Sequence, residues 1–232
     1  MKFVLYFCAM NQWIKFPDPN TANDFGLVCQ GGELSPIYLL SAYMQGLFPW
    51  FNDDDPILWW SPNPRMVLFP DNFKLSKSMR QVINRNSFEI RIDTCFDEVI
   101  NACADTRRFN QDGTWLTPEM IDAYIVLHNM GFVHSFETFQ NNKLVGGLYG
   151  VSIGKAFFGE SMFHTTDNAS KFAFYHLVQF AQKQAFHFID AQQSTSHLKS
   201  LGAEDIPRKQ FLQMLEKSLG FETVQHKWTG LI

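Results

Sequence analysis

The 232-residue chain is 46% hydrophobic, 16% aromatic and only 18% charged, the last below the ~25% of an average soluble domain. This composition excludes a disordered chain, a coiled coil and a collagen-like repeat, and the length suffices for a core that needs no disulfides. The formal net charge of −4 argues against a protein that coats nucleic acid by bulk charge, but it leaves room for a local basic patch.

Signals of several other protein classes are missing from the sequence. The four cysteines form no C-x-x-C pair, the histidines lack metal-ligand spacing, and no phosphate loop, Rossmann fingerprint or nucleophile elbow occurs. Residues 1–10 are apolar but too short to span a membrane, and they lack a signal-peptide cleavage site, so we predict a first strand there. We therefore expect a cytoplasmic protein with reduced thiols, no metal, no cofactor and no membrane contact.

The N-terminal quarter combines one capped helix with an aromatic, proline-rich segment. Ser35 and Pro36 suit the N-cap and the first helical position, and Gly46 is typical of a helix end. Three Trp and four Pro lie within residues 49–64, and because proline fixes φ and removes a donor, we predict a stiff irregular surface there. We place a domain boundary near residue 64, between a small N-terminal domain, 1–64, and a larger domain, 65–232.

The rest of the chain alternates between strand and helix periodicities. Asn141-Asn142 and Gly154 are predicted turns between consecutive antiparallel strands. The order of the elements indicates an α+β fold with a mixed sheet. The predicted strands are 66–69, 88–92, 132–139, 143–153, 155–162, 186–190 and a last one in the tail 221–232, and the predicted helices are 75–84, 117–130, 168–184 and 207–219.

Two acidic residues lie at the ends of otherwise apolar predicted strands. Glu160 stands in F-F-G-E-S-M-F and Asp190 in F-H-F-I-D-A-Q, where burying a carboxylate without a partner is costly. Asp190 and Gln192 are two residues apart, so we expect their side chains on the same side of an extended strand. The residues alone leave two interpretations open, namely hydrogen-bonded strand ends or a polar functional cluster at the mouth of a sheet.

Basic residues concentrate in one short stretch of this acidic protein. Lys74, Lys77 and Arg80 share much of one face of a predicted helix, and Arg85 and Arg91 follow. Such a run is typical of a solvated helix face, and it also suits a local anion site.

Several long and unusual words of the sequence point to one family. Three of them are P-I-L-W-W-S-P-N-P-R at 56–65, L-V-G-G-L-Y-G at 144–150 and F-G-E-S-M-F at 158–163, and further matching words run in order from Gly31 to Arg208. With these residues the chain resembles the leucyl/phenylalanyl-tRNA–protein transferases. These bacterial enzymes move Leu or Phe from a charged tRNA to the N-terminus of a protein that begins with Lys or Arg. The resemblance covers most of the chain.

The resemblance implies a fold, an activity and partners. It implies a domain with a GNAT acetyltransferase-like fold behind the small N-terminal domain. The implied reaction is aminolysis of the aminoacyl ester without a cofactor, and the implied role is to mark proteins for an N-terminal degradation pathway. The implied partners are aminoacyl-tRNA and acceptor proteins with N-terminal Arg or Lys, and we expect a monomer. The order of preference among Leu, Phe and Met as donors stays open.

The resemblance also implies the catalytic residues. Asp190 and Gln192 match the catalytic pair of the family, in which Gln192 would hold the attacking amine through its side-chain carbonyl and Asp190 would orient Gln192. Glu160 would join this network or face the cationic side chain of the acceptor. An alternative is that a ribose hydroxyl of the substrate carries the proton and that the protein only positions it.

Five further positions are assigned to the donor by the same resemblance. Leu148, Phe157 and Met162 match the pocket for the Leu or Phe side chain, and adaptable Met and Leu side chains suit the acceptance of both. Without the resemblance these three residues would be plain core. Trp50 and Trp115 match positions that stack on or border the terminal adenosine.

The basic stretch then becomes the expected tRNA contact. Lys74, Lys77, Arg80 and Arg85 would hold the backbone of the acceptor stem without reading its sequence. Two rival functions remain, an acyl-CoA N-acetyltransferase and a tRNA-binding protein without activity. The first requires a glycine-rich pyrophosphate loop, which residues 164–171 lack, and the retained candidate catalytic residues argue against the second.

Overall fold

The structure is a computed structural model that describes residues 13–106 and 116–231. Its N-terminal part builds a small sheet around a buried tryptophan. Trp59 is 1% exposed, and its indole Nε1 donates to the carbonyl oxygen of Gly31 at 2.8 Å. The small sheet is antiparallel in the order β1-β3-β2 and is joined by one helix: β1 (Leu27–Gln30), α1 (Pro36–Met44), β2 (Phe48–Pro49), β3 (Leu58–Trp60).

The prediction of an irregular surface over residues 49–64 is wrong for Pro49 and for residues 58–60, which lie in strands. Pro49 lies in a two-residue strand at the edge of the sheet, where a missing donor is tolerated. The strand β3 lies between Pro56 and Pro62 and carries the Trp59 side chain into the core.

A seven-stranded sheet forms the larger part of the molecule. Its order is β10-β4-β9-β8-β7-β6-β5, and every neighbouring pair is antiparallel except β8 and β9. The predicted α+β class with a mixed sheet is thereby confirmed. The strands are β4 (Arg65–Leu68), β5 (Glu89–Ile92), β6 (Val133–Gln140), β7 (Lys143–Ile153), β8 (Ala156–His164), β9 (Phe188–Gln192) and β10 (Glu204–Ile206).

Six more α-helices are found in the part of the chain that the structure describes, and four of them begin within two residues of a predicted start. The Thr117 hydroxyl accepts from the backbone N–H of Met120 at 3.3 Å, and Ser76 does the same for Met79 at 3.1 Å. The helices are α2 (Lys77–Asn84), α3 (Phe96–Ala104), α4 (Pro118–Asn129), α5 (Ala169–Lys183), α6 (Ser196–Ser200) and α7 (Arg208–Leu219).

The helix α3 was not predicted, because its N-terminal cap comes from a distant strand. Cys95 occupies the N-cap position without a capping side-chain bond of its own. Instead the buried carboxylate of Glu137 in β6 accepts the backbone N–H groups of Thr94 at 2.9 Å and of Cys95 at 3.0 Å. A cap supplied 42 residues later leaves no signal in the local sequence.

The strands β6, β7 and β8 form an antiparallel meander, and α5 then crosses to the parallel strand β9. The first turn is made by Asn141 and Asn142 with φ values of 51° and 58°, as expected for an Asn-Asn hairpin. The crossover places the end of β9 beside the middle of β8. This neighbourhood carries the candidate site.

The C-terminal tail is not a strand, which corrects the prediction for residues 221–232. It is irregular over its described part, 221–231, and buries Trp228 completely. The Trp228 ring stacks on His134 at 3.6 Å, and its backbone N–H donates to Asp93 Oδ2 at 2.8 Å. Side-chain stacking across the core, and not strand pairing, holds the tail.

Two sequence-based expectations lie outside the described residues. They are the first strand over 1–10 and the position of Trp115. Among the described helices, none is long and apolar enough to cross a membrane.

We predict that Trp228→Ala lowers the free energy of unfolding by about 3–5 kcal/mol, because it removes a fully buried indole and leaves a cavity. Urea denaturation followed by circular dichroism measures the change. The control is Phe25→Ala, whose side chain is 83% exposed and whose loss should stay within about 0.5 kcal/mol. Equal effects of the two substitutions would contradict the burial of the tail.

Candidate active site

A buried ion pair underlies the candidate site. Arg65 at the start of β4 donates from Nε to Asp190 Oδ1 at 2.9 Å and from Nη2 to Asp190 Oδ2 at 2.6 Å. Both side chains are fully buried, and the guanidinium lies between the rings of Phe48 and Phe211, 4.8 and 4.5 Å from their centroids. Asp190 is therefore a paired carboxylate and not an isolated one.

Asp190 contacts Gln192 through the backbone. Its Oδ1 atom accepts the backbone N–H of Gln192 at 2.9 Å, and Gln192 has a positive φ of 62°. The pairing of β4 with β9 is also irregular here, since Met66 lies opposite Gln192 while Val67 lies opposite Asp190. The expectation that the two side chains project alike from an extended strand is therefore wrong: the Asp190 carboxylate bonds to Arg65, and the Gln192 side chain faces a cavity.

Glu160 and Gln192 are bonded through their side chains. The amide Nε2 of Gln192 donates to Glu160 Oε1 at 2.8 Å, and the hydroxyl of Tyr124 donates to Glu160 Oε2 at 3.0 Å. Burial raises the pKa of Glu160 to about 7, and the negative charge of Asp190 adds to this, while the hydrogen bonds from Gln192 and two tyrosines oppose it. Glu160 lies in the middle of β8 and not at its end.

Two cavities meet at Glu160. One has a volume of about 200 Å³, and we call it the polar cavity. The other has a volume of about 360 Å³, within the ~300–1,000 Å³ of small-molecule sites, and we call it the apolar cavity. The polar cavity is lined by Phe48, Trp50, Glu160, Gln192, Thr195 and Leu198, and the apolar cavity by Leu148, Glu160, Met162, Phe174, Leu177 and Ile189.

The structure brings six of the eight predicted catalytic and donor-binding residues to these two cavities. Leu148 and Met162 lie opposite each other in β7 and β8 and both line the apolar cavity. Trp50 lines the polar cavity, where its ring packs 5.5 Å from the ring of Trp60.

The expectation for Phe157 is corrected. Its ring is fully buried in the core, with the ring of Trp228 at 6.3 Å, and it lines neither cavity. The register of β7 and β8 places Phe157 opposite Ser152, on the same face of the sheet as Leu148 and Met162, with the β-bulge opposite Tyr149 and Gly150 between them. Phe157 therefore shares the face of the cavity residues but packs deeper in the core, together with Trp228.

The basic residues form a separate feature. Lys74 lines a third cavity of about 280 Å³ together with Lys171 and His197, while Lys77 and Arg80 are exposed on α2. We call this the basic cavity. It adjoins the apolar cavity, because Phe174 and His197 line both. Arg85, at the end of α2, is exposed as well.

Three polar residues of the site were missed from the sequence, Arg65, Tyr43 and Tyr124. A signal existed for Arg65, since a carboxylate at the end of a buried strand needs a cationic partner, although the sequence does not say which one. Tyr43 and Tyr124 lie in apolar helix faces and are indistinguishable there from core residues. Their hydroxyl groups meet only in the folded chain, at 2.5 Å from each other.

The arrangement can bind a nucleophilic amine. Because the ionised carboxylate of Glu160 only accepts hydrogen bonds, the amide NH₂ of Gln192 must face it, and the carbonyl Oε1 is left to face the polar cavity. A carbonyl oxygen there can accept an N–H of an amine. Among the described residues, no group of three His, Cys, Asp or Glu side chains is placed to hold a metal ion.

We predict that Arg65→Met lowers the free energy of unfolding by about 3–5 kcal/mol, because it leaves the Asp190 charge buried without a partner. Urea denaturation of the parent, Arg65→Met, Asp190→Leu and the double variant measures the coupling free energy between the two side chains. The double variant should be more stable than Arg65→Met alone, since neither charge remains. Simple addition of the two single losses would contradict the pairing.

Comparison with known proteins identifies the family of the chain. The model of the leucyl/phenylalanyl-tRNA protein transferase family matches residues 67–216, and the model of its N-terminal domain matches residues 32–63. A solved aminoglycoside acetyltransferase from an uncultured soil metagenomic sample aligns with a TM-score of 0.35 at 15% identity over 49% of this chain and 84% of its own, which is too distant to support an argument.

Curated relatives named leucyl/phenylalanyl-tRNA–protein transferase match almost the whole chain. The relative from Desulfatibacillum aliphaticivorans is 50% identical over 95% of each chain, and that from Nitrosospira multiformis is 52% identical over 92% of each. The relative from Legionella pneumophila strain Corby is 49% identical over 92% of this chain and 96% of its own. The chain is a transferase that belongs to the leucyl/phenylalanyl-tRNA–protein transferase family.

Proposed function

We propose that this protein transfers Leu or Phe from aminoacyl-tRNA to the N-terminal α-amine of proteins that begin with Arg or Lys. The observation that carries the proposal is the meeting of an apolar and a polar cavity at Glu160, with the amide of Gln192 at the junction. The apolar cavity suits the side chain of the donor amino acid. The polar cavity suits the ester and the incoming amine.

The proposed reaction is aminolysis of an ester. A neutral α-amine attacks the aminoacyl carbonyl, the new C–N bond forms, and the C–O bond to the 3′-terminal ribose breaks. A free α-amine has a pKa of about 7.7–8.0, so a usable fraction is neutral near pH 7. The conversion of an ester to an amide is thermodynamically favourable. The main task of the protein is therefore to position the amine against the ester and to assist the transfer of the amine proton.

Gln192 is the proposed partner of the attacking amine. Its Oε1 atom accepts an N–H of the amine, which directs the nitrogen lone pair to the ester. An amide is too weak a base to keep the proton, which therefore passes to the leaving ribose oxygen. Glu160 holds the Gln192 side chain by the 2.8 Å bond to Nε2.

Asp190 is proposed to act on the reaction through Gln192 and not by contact with the substrate. Its contacts are two N–H groups of Arg65 and the backbone N–H of Gln192. These contacts support a role in setting the backbone of Gln192, while Arg65 neutralises the charge of Asp190. They do not support direct contact with the Gln192 amide.

Donor choice is proposed to depend on the apolar cavity. Leu148 and Met162 have flexible side chains that can repack around a branched or an aromatic guest. One methylene changes binding by only about 1–3 kcal/mol, so a cavity of this kind suits Leu, Phe and, more weakly, Met. Trp50 in the polar cavity is the proposed platform for the terminal adenosine.

Charge supports the two macromolecular partners. The basic cavity and the exposed cations of α2 are proposed to bind phosphates of the tRNA. Residues 53–55 are three exposed aspartates just after Trp50, and their charge suits an acceptor with N-terminal Arg or Lys. The proposal includes a monomer in the cytoplasm and a role in N-terminal-residue-dependent protein degradation.

The transfer assay tests the function directly. Labelled Phe from Phe-tRNA should appear on a protein with N-terminal Arg or Lys and not on the same protein with N-terminal Ala or Glu. Success with acetyl-CoA in place of the charged tRNA would instead favour an N-acetyltransferase. Binding of Phe-tRNA without transfer to any acceptor would favour a protein that binds tRNA without activity.

Within this assay, Gln192→Ala should lower kcat by about 10²-fold, because the amine loses its acceptor. The matched control is Gln179→Ala on the exposed face of α5, which should keep the parent rate. A loss of less than about tenfold for Gln192→Ala would contradict the role of the Gln192 carbonyl.

Affinity for charged tRNA should depend on salt through the cations of α2. Lys77→Ala/Arg80→Ala should reduce the slope of log K against log salt concentration by about 1.5–2, since two phosphate contacts are lost. The control Lys209→Ala/Lys217→Ala on α7 removes the same charge from another exposed helix and should leave the slope unchanged. Filter binding between low and physiological salt measures both slopes, and equal slopes in the two variants would overturn the contact.

A further inference from the structure

Two buried tyrosines lie next to Glu160 of the candidate active site. Tyr43 on α1 and Tyr124 on α4 are both fully buried. Their hydroxyl oxygens are 2.5 Å apart, and Tyr124 also bonds to Glu160 Oε2 at 3.0 Å. No part of the proposed reaction uses either hydroxyl group, so their arrangement needs an explanation.

The direction of these hydrogen bonds follows from the chemistry of the groups. Ionised Glu160 can only accept, so the single hydroxyl hydrogen of Tyr124 must point to it. Tyr43 must then donate to the oxygen of Tyr124. Burial and the charge of Glu160 raise the pKa of both phenols well above the usual value of 10.0, so both stay protonated donors at working pH.

We propose that Tyr43 and Tyr124 are positioning residues that hold the Glu160 carboxylate as an acceptor for the Gln192 amide, and so keep the Gln192 carbonyl facing the polar cavity. The inference deepens the proposed function and rests on it. The chain of contacts runs from Tyr43 through Tyr124 and Glu160 to Gln192. It ends at the atom that we assign to the attacking amine.

The protonation of Glu160 decides which end of the Gln192 amide faces the cavity. A protonated Glu160 can donate to the carbonyl of Gln192, which turns the amide over and presents NH₂, a group that accepts nothing from an amine. Burial and Asp190 push the pKa of Glu160 up to about 7, while the hydrogen bonds from Tyr43, Tyr124 and Gln192 push it down. Removing a phenol therefore favours the protonated, inverted arrangement.

The charged and titratable groups that act on Glu160 come from four elements, and Tyr149 of β7 and His197 of α6 line the apolar cavity beside it. The two phenols belong to α1 and α4, and Asp190 belongs to β9 and is paired with Arg65 of β4. The pair remains in every tyrosine variant, so Asp190 continues to raise the pKa of Glu160. Only the opposing hydrogen bonds change.

Packing fixes both rings independently of their hydroxyl groups. The Tyr43 ring lies 5.2 Å from the ring of Phe158, and the Tyr124 ring lies 5.5 Å from the ring of Tyr149. Replacement by Phe therefore keeps the ring and removes only the donor. Tyr43 lies in the segment matched by the N-terminal family model, so this segment supports the geometry of a site on the large sheet.

The experiment measures kcat/KM for an N-terminal Arg peptide against pH in the parent protein, Tyr124→Phe, Tyr43→Phe and Tyr38→Phe. The acidic side of the profile contains two ionisations, the Glu160 carboxyl at about 7 and the acceptor amine at about 7.7–8.0. The amine contributes equally in every variant. Tyr38 lies on α1 at partial exposure and serves as the matched control.

In Tyr124→Phe the Glu160 ionisation should move up by about one pH unit, which lowers the rate at pH 7 about fivefold and leaves the rate near pH 9 close to that of the parent. Tyr43→Phe should give a shift in the same direction, because the Tyr43 hydroxyl also lowers the pKa of Glu160 and bonds to Tyr124. Tyr38→Phe should give none. A loss of activity that is equal at every pH would show a merely structural role and overturn the inference.

A second readout needs no turnover. The infrared carbonyl band of protonated Glu160, identified by its absence in Glu160→Gln, should titrate at higher pH in Tyr124→Phe than in the parent. An unchanged midpoint overturns the inference. If the parent protein transfers no amino acid but the midpoint is higher in Tyr124→Phe, the proposed function is wrong. The role of the tyrosines in keeping Glu160 ionised is then still supported.

Discussion

The buried pair of Arg65 and Asp190 is the interaction on which the site depends. An unpaired charge at either position would be strongly destabilising, so the two residues can be buried only together. Arg65 also lies between the rings of Phe48 and Phe211. One guanidinium thus joins the small sheet, the large sheet and the last helix, and through Asp190 it sets the backbone of Gln192.

The reactive geometry arises where the sheet departs from regularity. Gln192 adopts a positive φ of 62° at the end of β9, and the β4–β9 pairing changes register beside it. These departures turn the Gln192 side chain away from the buried ion pair and toward Glu160. The two cavities share a wall at Glu160, and in the proposed reaction the donor side chain and the acceptor amine bind on either side of this carboxylate.

Much of this architecture follows from local sequence. The period-two strands β6, β7 and β8, the hairpin at Asn141-Asn142, the capped helix α4 and the helix α5 were all predicted, because each depends on residues within its own segment. The helix α3 was missed because its cap is the carboxylate of Glu137 in β6. The tail was mistaken for a strand because stacking of Trp228 on His134, and not strand pairing, holds it.

By itself the sequence determined the α+β class, the family resemblance and the set of polar residues within apolar segments, since these depend on residue type and spacing. Only the tertiary structure decided which polar groups are partners. It paired Asp190 with Arg65 across 125 positions, and it brought Tyr43 to Tyr124 across 81. It also moved Phe157 from the expected pocket into the core. Hydrogen bonds and burial act through space, so their partners are selected by the packing of distant segments and leave no trace in local spacing.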